Sequence, residues 1–410
     1  MLIRLALTVA AFCSTAVAQV FAADTTGLTD SEIKIGLFGP MTGQSNVGAK
    51  PIYGAAAVYK NVNAKGGLHG RKIEIVIEDD GCDGNKGVAA VKKLISQDQV
   101  FLLHGAYCSA VALAIKPDIA SHPNVPYVVL TASHPHISNP LLPNLFQPTA
   151  SADIVAQRMV EFALSKPGAK KIAIIRHSNE WASGYAEAII PALARHGLTP
   201  VRVETLERGS MDAAAQVRSL KQAAPDVVLA LLYPLEMATY LRDAYKVGLQ
   251  TVTLGTAAVS IDDLDKQLGI PAAIKDVYLV YNLSGLLTSP ELWKFARALK
   301  QYYPAEALDA KSFDSMGGAL AIVEVLRRSG RNLTRERFIE EFNKLRDFNS
   351  GIQAGPLTFT PTDHVGLKQV KWIAIVNSKP VLFDQFPLSS QQALTPPGIL
   401  GRSQQMELQR

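Results

Sequence analysis

The chain reads as an α/β protein built from two parallel-sheet units in series, each sheet covered by helices. Three observations carry this reading. Strand-like runs alternate with helix-spaced runs along most of the 410 residues. The repeated β-α-β-α order calls for parallel strands with helices on both faces of the sheet. The same rhythm then restarts after Gln147-Pro148.

In the first unit, IKIGLF (33–38) is an apolar strand run, and 50–64 has helical spacing that ends at Gly66-Gly67. KIEIVIE (72–78) alternates at period two, as a half-exposed strand does. A helix is expected over 86–96, a strand over 100–103, a helix opening near Ser109 and a buried strand over 127–130. In the second unit, helices over 152–164, 182–196, 211–223 and 235–247 lead to strands over 171–176, 201–204, 226–232 and 251–254. A strand over 277–281 precedes two more helices, 290–302 and 313–329. The runs 370–376 and 381–383 read as a β-hairpin turning at Asn377-Ser378. The stretch 389–410 has no period, contains Pro396-Pro397 and Gly398, and reads as a flexible tail.

The N-terminus has the pattern of an export signal. Arg4 precedes an apolar stretch from Leu5 to Ala18, and small residues follow at Ala16, Ala18 and Ala22. That stretch is shorter than the ~20 residues that span a bilayer. Cleavage after Ala18 or Ala22 fits, with Ala22 preferred and 1–22 taken as the signal; a retained terminal anchor is the alternative. Of three cysteines, Cys13 lies inside the signal, which leaves Cys82 and Cys108. An even pair in an oxidising compartment favours a structural disulfide over a metal site or a nucleophile. It would close a loop of about 26 residues, worth roughly 3 kcal/mol of loop entropy. The formal charge is +5 without any long Lys/Arg cluster, which argues against a nucleic-acid partner.

An enzyme needs a constellation, and none is visible. No GxGxxG follows a strand, and neither a GxxxxGK[ST] loop nor a GxSxG elbow occurs. His134 and His136 flank a proline, but no third ligand stands near them in sequence, so no metal is expected. Asp79-Asp80 could do acid/base work, yet paired carboxylates at a strand end more often shape a turn. No cofactor is expected. Open parallel sheets bind ligands beyond the carboxyl ends of their strands. Those positions carry Gly39 to Gly43 with Met41, Tyr107-Cys108-Ser109 and Thr131-Ala132-Ser133 in the first unit. In the second they carry Ser178 to Trp181, Tyr233 and Thr256-Ala257. One wall thus offers hydroxyls and N–H groups to an anion, and the other offers aromatic rings. Ser109 would open a helix whose orphan N–H groups and dipole favour a carboxylate, or serve as a plain cap. Trp181 and Tyr233 would cover a ligand, or pack between units.

These segments resemble the periplasmic leucine/isoleucine/valine-binding proteins of ABC transporters. The resemblance runs through IKIGLFGPMTGQSNVGAKPIYGAAA, GGLHGRKIEIVIEDDGCDGNKGVAAVKKLI, HGAYCS, LTASHP, NEWASGYAEAI, YPLEMATYLRDAYKVGL and AGPLTFTPTDHVG, roughly residues 31–385. It implies a type I periplasmic binding protein: two doubly wound lobes joined by three crossovers, with a ligand held between them. The lobes would be 31–148 with 284–357, and 149–283 with 358–388. It implies a Cys82–Cys108 disulfide and a ligand carboxylate on Ser109, on Ala132 and Ser133, and on their backbone amides. It places Trp181 and Tyr233 over the ligand. Two positions depart from the family. Ala257 stands where amino-acid binders carry the acidic partner of the ligand's ammonium, and Asn46 or Val47 replaces the first-loop tyrosine. A buried ammonium without a carboxylate costs several kcal/mol. The expectation is therefore a monomeric, periplasmic, non-enzymatic solute-binding protein. It would close over a small amine-free, aromatic carboxylate and serve a membrane ABC permease. A hydrophobic amino-acid binder and a periplasmic sensor module are the alternatives, and Glu180 is a further candidate for an amine.

Overall fold

The computed structural model describes residues 24–43, 48–377 and 379–383. The expected signal, Asn46, Val47 and the expected tail 389–410 lie outside the described residues. Two sheets form two lobes. The first holds β1 (Glu32–Gly39), β2 (Lys72–Asp79), β3 (Leu102–Gly105), β4 (Tyr127–Val129) and β5 (Leu145–Phe146), all parallel, in the order β2-β1-β3-β4-β5. Their helices are α1 (Lys50–Ala64), α2 (Gly84–Ser96) and α3 (Ser109–Ser121). β1 sits inside, with Ile33, Ile35 and Leu37 buried, while β2 is an edge strand that leaves Ile77 exposed.

The second sheet runs β12-β11-β10-β9-β8-β6-β7. β6 (Ile172–Arg176), β7 (Arg202–Thr205), β8 (Val227–Leu231), β9 (Val252–Gly255) and β10 (Val277–Tyr281) are parallel. β11 (Lys371–Val376) and β12 (Lys379–Phe383) close that edge as the expected antiparallel hairpin. The helices of this lobe are α4 (Ala152–Ser165), α5 (Glu180–Ala194), α6 (Ala214–Ala223), α7 (Pro234–Val247) and α8 (Ile261–Leu268). Phe162 of α4 stacks on Trp372 of β11 at 4.0 Å, so α4 covers this sheet.

The chain then returns to the first lobe. α9 (Trp293–Tyr302) and α10 (Ala310–Ser329) pack on α1, and α11 (Arg335–Asn343) sets Phe338 against Phe101 and Phe342 against Phe146. Three crossovers result, and they are sewn to one another. The Gln147 N–H donates to the His364 carbonyl, and the Gly366 N–H to the Gln147 carbonyl, each at 2.8 Å. The Ser284 N–H reaches the Ile352 carbonyl (2.9 Å), and the Ala354 N–H the Asn282 carbonyl (2.7 Å). Among the described residues, no helix is long and apolar enough to cross a membrane.

Several boundaries differ from expectation. The helix expected from 211 begins at Ala214, because Asp243 accepts the Ala213 N–H and Asp212 the Ala214 N–H, which ends the preceding loop there. α8 and α11 were not expected. α11 is mostly charged and buries only Arg335, Phe338 and Phe342, so its apolar stripe is thin; its start is marked by Thr334, whose hydroxyl accepts the Arg337 N–H.

Cys82 and Cys108 form the disulfide, with Cα atoms 5.5 Å apart. It fastens the turn after β2 to the cap of α3. Beside it, Asp79 accepts from the N–H groups of Met41, Thr42 and Gly81 and from the Thr42 hydroxyl. Burial would raise its pKa, but these donors outweigh burial and hold it near about 2. Asp79 therefore shapes the turn rather than moving protons. Double Cys82→Ser/Cys108→Ser substitution should cost roughly 3 kcal/mol in urea unfolding, the loop-entropy value.

His104 is fully buried under α1, its Nδ1 2.8 Å from the Tyr59 hydroxyl. Burial pushes its pKa down to about 3. The folded value lies below the unfolded one of about 6.5, so the unfolded chain gains the proton first and stability falls as pH drops below about 6.5. Between pH 7 and pH 5 the wild type should lose about 2 kcal/mol more than His104→Gln in denaturant titrations.

Candidate functional site

The carboxyl ends of the central strands of both sheets meet at one cleft. Its inner part is a cavity of about 260 Å³, and an adjoining space of about 570 Å³ shares Tyr107, Cys108, Ser109, Trp181 and Tyr233. Of the expected site residues, Tyr107, Ser109, Thr131, Ser133, Trp181, Tyr233 and Ala257 all line the inner cavity. Two do not. Met41 packs half-buried on the core, its N–H held by Asp79. Ala132 is buried in the first-lobe core, and its N–H donates to the Ala106 carbonyl at 3.2 Å. That amide, expected to meet a ligand carboxylate, is already used.

On the first lobe, Ser109 is the first residue of α3 and is 2% exposed, yet its hydroxyl has no partner among the described residues. The Thr131 hydroxyl, just beyond β4, is in the same condition. Orphan N–H groups of the first turn of α3 point the same way, since the cap Cys108 supplies no side-chain bond. Hydroxyl donors at a helix N-terminus suit an anion.

The second lobe supplies rings. Trp181 stacks on Tyr233, centroids 4.8 Å apart and planes at 20°, and its other neighbour Tyr185 lies at 5.3 Å. The rings are fixed from behind. Asn179 caps α5 by accepting the Ala182 N–H and donates to the Tyr233 hydroxyl at 3.1 Å. His177 is buried, its Nδ1 at 2.9 Å from the Leu206 carbonyl, and its Nε2 accepts the Tyr233 N–H. Arg208 sits 5.6 Å from the Tyr233 ring. Glu180 is exposed and borders the outer space rather than the cavity.

Further residues line the cavity that the strand-end reading did not pick out: Thr149, Tyr185, Asn282, Lys311 and Asp314. Asn282 follows β10 directly, so the rule used for the other strands would have found it. Tyr185 lies four residues after Trp181, on the same helix face. Thr149, Lys311 and Asp314 sit in a crossover and on α10, where no strand-end rule reaches. Burial raises the Asp314 pKa to about 6, against the Asn282 amide bond and the Lys311 charge, which lower it.

The lobes touch. Tyr185 and Ser133 line the same cavity from opposite lobes, and α5 brings Gly184 against His134. A Cβ at Gly184 would lie 2.5 Å from the His134 ring, so only glycine allows this approach. The same contact corrects the reading of the histidine pair. Glu187 of α5 joins His134 and His136, with ligand-type atoms of the three within 4.8 Å of one another, because folding supplies a third group that local sequence lacks.

A profile described as "Periplasmic binding protein" matches residues 32–379. An "Amino acid binding protein" of Pseudomonas aeruginosa is 25% identical over 300 residues, covering 73% of this chain and 78% of the relative. A branched-chain amino acid ABC transporter structure from Thermus thermophilus with bound valine superposes with a TM-score of 0.74 or better: 0.78, at 19% identity, over 88% of this chain and 98% of that one. A fatty acid ABC transporter substrate-binding protein from Thermomonospora curvata gives 0.74 at 22% identity, over 90% and 95%. At these identities the two structures speak for the fold alone.

Gly184→Ala should hold the lobes apart: ligand affinity should fall at least fivefold and the radius of gyration in X-ray scattering should rise, with the melting temperature little changed.

Proposed function

Because the chain belongs to the periplasmic binding protein family, we propose that it is the extracytoplasmic receptor of an ABC importer, taking a small amine-free, aromatic carboxylate between its lobes. The lobes divide at 148/149, 283/284 and 357/358, and hinge motion about these strands traps the ligand. The loaded, closed form is what a membrane permease recognises; the protein acts as a monomer in the periplasm and makes or breaks no bond.

One observation carries this reading. The buried Ser109 and Thr131 hydroxyls lack partners among the described residues and face stacked Trp181 and Tyr233. A ligand carboxylate would satisfy the hydroxyls and the first-turn N–H groups of α3. A flat apolar body would lie along the rings. Ala257 offers no charge to an α-ammonium at the position where amino-acid binders of the family hold one. The name of the Thermomonospora relative supports an amine-free acid within the same fold.

A branched-chain or other hydrophobic amino acid is the second reading. The Pseudomonas and Thermus relatives are named for amino acids, and Asp314 places a carboxylate in the cavity from another direction.

Thermal melts with benzoate, 4-hydroxybenzoate, a cinnamate and leucine separate the two. At 100 times its dissociation constant, a true ligand adds about 2.7 kcal/mol of stability. The aromatic acids should stabilise and leucine should not; stabilisation by leucine alone defeats the amine-free reading. Trp181→Ala and Ser109→Ala should each weaken the aromatic acid at least tenfold in calorimetry.

A further inference from the structure

We infer that Asp314 and Asn282 form an acceptor pair that reads a hydrogen-bond donor on the ligand, a hydroxyl or amino group distinct from its carboxylate. The inference rests on the proposed reading that Ser109 and Thr131 take the carboxylate, and it narrows the ligand to acids carrying a second polar group.

Asp314 lies near the start of α10, within the residues lining the inner cavity. One of its oxygens, Oδ2, accepts from the Asn282 Nδ2 at 3.0 Å. Its Oδ1 is shielded from solvent and has no partner among the described residues. That bond also orients Asn282. With Nδ2 turned to Asp314, its Oδ1 is left as a second buried acceptor, again without a partner among the described residues. With Asp314 ionised, two acceptors side by side cannot satisfy each other, and a donor from outside the protein would meet both.

Two other buried carboxylates, Asp309 and Asp243, are ion-paired, whereas Asp80, which has the Cys82 N–H on one oxygen and no partner among the described residues on the other, lies off the cavity in the turn after β2. Asp309 has the Lys50 ammonium at 2.8 Å and the Lys311 N–H. Asp243 has the Arg242 guanidinium and the Ala213 N–H. Asp314 has one neutral amide. Lys311, which also lines the cavity, has its ammonium 3.9 Å from Asp309, a carboxylate it shares with Lys50. Asp314 and Asn282 come from α10 and from the end of β10, elements different from those bearing Ser109 and Thr131. The cavity therefore has two polar patches: one of hydroxyls and helix N–H groups that suits an anion, and one of acceptors that suits a donor. The rings of Trp181 and Tyr233 cover the apolar space they share.

The test is calorimetry on the full mature chain with benzoate, 3- and 4-hydroxybenzoate, 4-aminobenzoate and leucine, using wild type, Asp314→Asn and Asp314→Ala. In the wild type at least one hydroxy- or aminobenzoate should bind tenfold or more tightly than benzoate. In Asp314→Ala that advantage should fall below threefold, while benzoate itself changes less than threefold. The hydroxy and amino arms tell which donor is read. Melts of the ligand-free variants check that each folds; Asp314→Asn keeps the shape if the alanine variant does not fold. An equal advantage in wild type and Asp314→Ala, or no advantage in the wild type, overturns the inference. If leucine binds and the aromatic acids do not, the amine-free reading fails by itself. The acceptor pair then stands on a tenfold or greater loss of leucine affinity in Asp314→Ala and falls on a smaller one. No binding by any probe overturns both.

Discussion

A buried polar atom without a partner costs about 1–3 kcal/mol, and the cavity between these lobes gathers several. Ser109 Oγ, Thr131 Oγ1, Thr149 Oγ1, Asn282 Oδ1 and Asp314 Oδ1 all lack a partner among the described residues, and all belong to residues lining one space. A folded chain tolerates that concentration of unmet bonding only if the backbone carrying it cannot relax. Here it cannot. Ser109 follows a disulfide-bonded cap, Thr131 follows β4, a buried strand paired on both sides, and Thr149 and Asn282 sit where crossovers are bonded to one another. The scaffold holds these groups where none of them serves another's unmet atom, so that a ligand can supply what the protein withholds.

The same constraint explains the division of labour between lobes. The first lobe presents small polar groups whose positions are set by strand ends and a helix start. The second presents rings whose positions are set by a polar backing: Asn179 on the Tyr233 hydroxyl and His177 on the Tyr233 N–H. Rings tolerate sliding, because stacking is broad in geometry, whereas hydrogen bonds to an anion are directional. With Ser109 and Thr131 on one lobe and Trp181 and Tyr233 on the other, the directional contacts to an anion come from one side and the tolerant stacking from the other.

Much of this was legible in the residues. Alternating patterns located the parallel strands, because such strands are short, apolar and separated by helices. The strand-end rule found Ser109, Thr131, Ser133, Trp181, Tyr233 and Ala257 at the cavity. It failed in two informative ways. Met41 and Ala132 also follow strands, but their backbones are consumed by Asp79 and by the Ala106 carbonyl, and a one-dimensional pattern does not show which N–H groups are already bonded. Asp314 was invisible for the opposite reason. It is brought to the cleft by α10, a helix of the returning segment, and long-range packing on α1 decides which of its faces meets the cavity. Glu187 reaches His134 and His136 by the same kind of distant pairing.

Closure needs a driving force that is small without ligand and sufficient with it. One direct contact between the lobes is steric: Gly184 against His134. Such a contact guides the approach and contributes little apolar burial of its own. The larger gain is available only to a ligand, because the hydroxyls and acceptors of the cavity stay unmet until one arrives. A ligand shifts a two-state equilibrium only by its differential affinity for the two states. On the proposed reading the difference is built in: an open form would let water reach the polar groups of each wall, and a closed form would need a ligand with matching groups to replace it. An apolar molecule of the right shape would fill the same space but leave those groups unpaired. Selectivity in this fold thus comes from the cost of closing over the wrong ligand as much as from the gain of closing over the right one.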